Sequence, residues 1–192
     1  LYSVDFDEIE KLQHTDDWDT AAMVLADGAR KIEAGGADFL IICTNTMHRV
    51  ASEIEQAISI PLLHIADATA LKLKDDNITR VGLLGTRFTM EHNFYKSRIT
   101  ELFGIEVLVP EPDERTLLHA IIYDELCLGK IENTSRQQCL EIISRLFARG
   151  AQAVILGCTE IALLISQDHT NIPLYDTTVI HANQAVSYAL KD

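Results

Sequence analysis

LIICTNTMH, residues 40–48, begins as a buried strand and ends as a row of polar groups. Residues 39–42 are apolar and run into Cys43, and Thr44, Asn45, Thr46 and His48 follow at once. AVILGCTEIA, residues 153–162, repeats the pattern, with Cys158, Thr159 and Glu160 after an apolar run. Short strands apolar on both faces belong to parallel sheets covered by helices. Both stretches therefore predict an α/β fold.

The flanks extend the likeness. GGADFLIICTNTMH…ISIPLLHIADATALKLKD resembles RGAQAVILGCTEIA…TNIPLYDTTVIHANQAVSYALKD. Each has a helix ending in Gly-Ala, an apolar strand, Cys-Thr, a short helix, Ile-Pro-Leu and a closing helix. From Cys43 to Pro61 is 18 positions (61 minus 43) and from Cys158 to Pro173 is 15 (173 minus 158), so one short gap aligns them. We read an internal duplication. Two similar α/β subdomains with parallel-sheet cores follow, related by pseudo-twofold symmetry with a site in the cleft between them. The expected boundaries are 1–76 plus 171–192 for one subdomain and 77–170 for the other.

Periodicity fills in the elements. Helices are expected over Trp18–Ala34, Met47–Ile58, Met90–Phe103, Asp113–Leu128, Thr134–Arg149 and Val179–Leu190. Strands are expected over Phe39–Cys43, Leu62–Ile65, Arg80–Gly85, Ile105–Val109, Ala153–Leu156 and Leu174–Tyr175.

Composition narrows the function. The formal net charge of −13 repels a phosphate backbone, so neither nucleic acid nor an anionic membrane is an expected partner. No apolar run reaches the roughly 18 residues of a membrane span, and a cytoplasmic protein is expected. The four cysteines, Cys43, Cys127, Cys139 and Cys158, form no CxxC pair and do not read as a disulfide framework or a zinc site.

Parallel sheets bind ligands beyond the carboxyl ends of their strands. Cys43 and Cys158 both sit there, each before a helix whose N-terminal partial charge should favour thiolate. Two equivalent thiols on opposite faces of a small substrate suit a two-base reaction. One removes a proton from a stereocentre and the other returns one to the opposite face. Thr44, Asn45, Thr46 and Thr159 are candidate donors for the substrate's carboxylate, since no cofactor electron sink is evident. Cys127 and Cys139, inside helical stretches, read as core. His64 and His181 read as structural, Asp176 as a helix cap, and His48 is open between orienting a group and bracing a helix start. Glu111, Asp113 and Glu114 read as a solvated helix start.

CTNTMH at 43–48 and GCTE at 157–160 resemble the two signatures of the aspartate/glutamate racemase family, cofactor-independent two-cysteine amino-acid racemases. LLGTRFTM at 83–90, YDELCLGK at 123–130 and LYDTTVIHA at 174–182 are similar to it as well. The likeness covers nearly the whole chain and is greatest to the bacterial branch with broad amino-acid racemase or epimerase activity. It implies Cys43 and Cys158 as the acid/base pair. It implies substrate contacts from Thr44, Asn45, Thr46, Thr86, Thr159 and Glu160, no cofactor or metal, an amino acid as ligand, and a homodimer. Three departures stand out. The chain opens at LYSVDF, which resembles the family's second strand, so the glycine-rich first strand is not in this sequence. Cys127 occupies the position where some aspartate racemases carry a substrate-binding lysine, with Lys130 three further on, and Glu160 replaces the histidine of glutamate racemases. Related chemistries on this framework are maleate isomerase, hydantoin racemase and arylmalonate decarboxylase; an idle amino-acid-binding module is the non-enzymatic alternative.

Overall fold

The computed structural model describes residues 1–191, which divide into two compact units. One comprises Leu1–Ile42 and Met47–His64; the other comprises Cys43–Thr46 and the chain from Ile65 onward.

The first unit holds α1 (Phe6–His14), α2 (Trp18–Ala34) and α3 (Ala51–Ala57), the last preceded by a 3₁₀ turn over Thr46–Val50. Asp17 caps α2, its side chain accepting from the Thr20 N–H at 3.1 Å. Residues 1–5 have no regular structure and α1 follows, where LYSVDF had suggested a strand; Asp5 caps that helix, accepting from the Asp7 N–H. The strands expected over Phe39–Cys43 and Leu62–Ile65 reduce to one parallel bridge, Leu40 to Leu62. Pro61 has no N–H to extend the ladder backward, and Ile65 already begins a helix.

The second unit begins α4 (Ile65–Asp75), β1 (Arg80–Gly85), α5 (Arg87–Glu91), α6 (Asn93–Phe103), β2 (Glu106–Leu108) and α7 (Pro112–Ala120). It continues with α8 (Asn133–Ala148), β3 (Ala153–Gly157), α9 (Ile161–Leu164), β4 (Leu174–Asp176) and α10 (Thr177–Ala189). The four strands form one parallel sheet in the order β2-β1-β3-β4. Alternate residues of β1 and β3 feed opposite faces. Leu84, Val154 and Leu156 pack with Leu118, Ile142 and Leu146, while Val81, Leu83 and Ile155 pack with Leu73, Tyr95 and Ile99. Among the described residues no helix is long and apolar enough to cross a membrane.

Two backbone bonds of the repeated motif recur in both copies. Gly36 and Gly150 both have positive φ (+86° and +99°), which lets the chain reverse after α2 and α8. The N–H of Ala37 then reaches back to the Ile32 carbonyl, and that of Ala151 to Leu146. Leu40 N donates to the Pro61 carbonyl and Val154 N to the Pro173 carbonyl, each at 2.9 Å.

The helix expected over 113–128 changes pitch. After α7 the chain takes a π turn over Ile121–Glu125 and a 3₁₀ turn over Leu126–Leu128, ended by Gly129 at φ +73°. The wider turn bonds the Leu126 N–H to the Ile121 carbonyl, five residues back, and keeps Ile121, Ile122 and Leu126 all buried. The expected helix over Met90–Phe103 likewise breaks at His92, whose backbone is extended. The acidic stretch at 111–114 is a helix start, with Pro112 opening α7 and the Glu111 N–H donating to Glu114 Oε2 at 2.9 Å.

Gly85 and Gly157 face each other across β1 and β3. A Cβ on Gly157 would lie 2.7 Å from the Leu84 carbonyl oxygen, a backbone atom that no rotamer change can move. Gly157→Ala is expected to destabilise the protein by about 1–3 kcal/mol, read as a lower denaturant midpoint; an unchanged midpoint would contradict this approach.

Candidate active site at the carboxyl ends of the sheet

Chain order and strand order together locate the site. From β1 the chain moves to β2 on one side and returns to β3 on the other, so the switch point lies between β1 and β3. Thr86 follows β1, Cys158 follows β3, and Thr177 follows β4. The tetrapeptide Cys43–Thr46 clusters with this unit, apart from the apolar residues that precede it.

Two hydrogen-bond groups fasten the tetrapeptide there. Thr46 Oγ1 lies 3.1 Å from Thr86 Oγ1 and 3.3 Å from Thr89 Oγ1, and Thr86 and Thr89 Oγ1 are 3.3 Å apart. Thr86 also caps α5, accepting from the Thr89 N–H at 3.3 Å. All three threonines are buried, and in each contact either hydroxyl can donate. Asn45 Nδ2 donates to Thr177 Oγ1 at 3.0 Å, and Thr177 Oγ1 donates to the Leu156 carbonyl at 2.9 Å. Asn45 is 2% exposed, and its Oδ1 has no hydrogen-bond partner among the described residues.

Cys158 is buried, and its thiol donates to Glu160 Oε2 at 2.9 Å; the Thr159 hydroxyl donates to the same oxygen at 2.7 Å. Burial first, then the negative charge of Glu160 and the hydrogen bond to it, push the Cys158 thiol well above its ordinary range. This reverses the expectation of a thiolate-favouring helix start at Cys158. The following helix α9 has four residues, too few for a substantial end charge, and the carboxylate two positions on turns back toward the sulfur. Cys43 is exposed and Thr44 half-buried.

The remaining candidates occupy the following places. Cys127 is half-buried against the apolar cluster that contains Cys158, and Lys130 is exposed. Cys139 lies inside that cluster, its thiol pushed up to about 12 mainly by burial. His48 and His64 are buried with ring centroids 4.4 Å apart. His181 is buried on α10, whose N-terminus Asp176 caps by accepting from the Thr178 N–H at 2.8 Å. Sequence reasoning passed over Thr89 and Thr177. Thr89 carried a weak signal as the third helical residue after a threonine cap; Thr177 carried none.

The Asp/Glu/hydantoin racemase family model matches residues 2–185. A crystal structure of a Yersinia pestis protein, provisionally classed as an Asp/Glu racemase, is 52% identical with TM-score 0.92, covering 100% of this chain and 83% of that one. An aspartate racemase homologue from Pyrococcus horikoshii OT3 is 31% identical with TM-score 0.84, covering 99% of this chain and 82% of that one. The broad specificity amino-acid racemase RacX of Bacillus subtilis (strain 168) is 26% identical over 172 residues, 89% of this chain and 73% of its own.

Glu160→Gln removes the charge that disfavours a Cys158 thiolate, so the titration of that thiol should move to lower pH. Thiolate ultraviolet absorbance followed against pH, in wild type and variant, measures the shift. A titration that stays in place or rises would mean that Glu160 does not govern this thiol.

Proposed function

The chain belongs to the Asp/Glu/hydantoin racemase family, and on that premise we propose that it racemises amino acids by passing the α-proton between two thiols, Cys43 and Cys158. The observation carrying this reading is the gathering of both Cys-Thr motifs on one compact unit, at the carboxyl ends of β1, β3 and β4.

The roles follow from the environments. Cys158, buried and bonded to a carboxylate, rests as the protonated thiol and is the donor. Cys43, exposed, is the group that takes the α-proton. Its S–H bond forms as the Cα–H bond breaks, leaving the electron pair on the carbon conjugated with the carboxylate. Cys158 then gives its proton to the opposite face, and the enzyme is left with the two protonation states exchanged. Return to the starting state runs through the reverse reaction or through exchange with water.

The carbanion needs donors where its charge develops. In this reading the Thr46, Thr86 and Thr89 hydroxyls and Thr44 supply them on one side and Thr159 on the other, the bonded hydroxyls exchanging their present partners, a neighbouring threonine or Glu160, for the substrate's carboxylate. Asn45 Oδ1, a buried acceptor without a donor, suits the substrate's ammonium group. In this reading Glu160 acts on Cys158 before it acts on the substrate. The reaction draws on no cofactor, and the resemblance carries with it a cytoplasmic homodimer, which sedimentation analysis tests.

Incubation with an amino-acid panel in heavy water should put deuterium at the α-carbon of at least one member and change its chirality. Cys43→Ser and Cys158→Ser should each lower racemisation by roughly hundredfold or more, while each retains exchange on one face. Protein that exchanges no amino acid, or only 5-substituted hydantoins, would overturn the assignment.

A further inference from the structure

Thr177 has one hydroxyl proton and two contacts. That proton goes to the Leu156 carbonyl at 2.9 Å, an oxygen that can only accept. The 3.0 Å contact with Asn45 therefore has one possible direction: the Asn45 amide must present its NH₂ to a lone pair on Thr177 Oγ1. With the amide turned over, two oxygens would face each other at that distance with no proton between them. Thr177 thus selects one of the two amide orientations, and Asn45 Oδ1 points the other way. Oδ1 is buried and without a partner among the described residues, so it carries a desolvation penalty until a donor arrives. Thr177 itself is fully buried at the first position of α10, held there by the capped turn after β4.

We propose that Thr177 is a positioning residue that sets the polarity of the Asn45 amide, and through it makes the site select ligands with a hydrogen-bond donor, an ammonium above all, on the α-carbon. The proposal rests on the racemase reading for the identity of the ligand but concerns a residue that does not touch it. A ligand whose α-substituent only accepts, such as an α-keto acid, meets Oδ1 as one acceptor against another. An ammonium meets it as a charge-assisted donor.

The test is the ratio of affinities, by calorimetry, for the amino acid that exchanges best in the deuterium panel and for its α-keto counterpart. The amino acid is supplied as the racemate so that no net reaction occurs. Wild type should prefer the amino acid. In Thr177→Val the amide is free to turn, and the preference should fall by roughly tenfold or more; Thr177→Ser keeps the hydroxyl and should restore it. A role in folding alone would weaken both ligands together and leave the ratio unchanged. If Thr177→Val does not fold, Thr177→Ala removes the same hydroxyl with less bulk and is read in the same way. A preference that survives in a folded variant overturns the assignment of Thr177 while leaving the racemase reading intact. Wild-type protein that binds no amino acid overturns both.

Discussion

The approach of β1 to β3 at Gly85 and Gly157 is the constraint on which the site depends. Two parallel strands can run in register along their whole length, yet only residues without a Cβ let the last pair come this close. The chain then leaves both strands at the same level, and Thr86 and Cys158 emerge at the switch point of the sheet. One crossover goes to each side there, so no connecting loop covers the strand ends. The Cys43–Thr46 tetrapeptide fills that space, its Asn45 amide and Thr46 hydroxyl held by threonine hydroxyls at the ends of β4 and β1. The same glycine marks the difference between the two Cys-Thr motifs, because Cys43 follows Ile42 while Cys158 follows Gly157.

What the residues themselves disclosed was set by how local the cause was. The runs at 80–85 and 153–157 are apolar on both faces, and both were readable as central parallel strands because burial alone explains them. The repeat was readable because the Gly-Ala reversal and the proline before the paired strand are backbone demands, visible as residue types. The reduction of 39–43 and 62–65 to a single bridge was not readable, since it depends on where the next helix starts. Nor was the π turn, because helical periodicity continues through 113–128 and only the joint burial of Ile121 and Leu126 asks for a wider turn.

The site divides along the same line. Cys43, Cys158 and Asn45 were nameable from the paired motifs, and the structure puts their backbone on one unit. Thr177 and Thr89 were not nameable, because their significance lies in hydrogen bonds to groups 132 and 43 positions away in sequence. The electrostatics of Cys158 run opposite to the sequence expectation for a related reason. A cysteine before a helix suggests a stabilised thiolate, but the sequence does not tell how long that helix is or where Glu160 points. With a four-residue helix and a carboxylate 2.9 Å from the sulfur, the local charge outweighs the helix end.

Duplication therefore supplies two thiols but not two equal ones. A symmetric pair would divide the resting enzyme evenly between its two protonation states, each ready for one enantiomer. Burial and Glu160 instead bias the pair toward a protonated Cys158, so on the two-thiol reading the free protein is poised for one enantiomer. The two enantiomers remain equal in free energy, so this bias cannot alter the equilibrium; it can only move the barrier between binding and the return of the proton. After a turnover in the favoured direction, a Cys158 thiolate is left beside a carboxylate in a buried place. Like charges at that separation repel strongly when water is scarce. On that reading the same pair that sets the resting state, a buried sulfur and the Glu160 carboxylate 2.9 Å away, also drives Cys158 back to its protonated form.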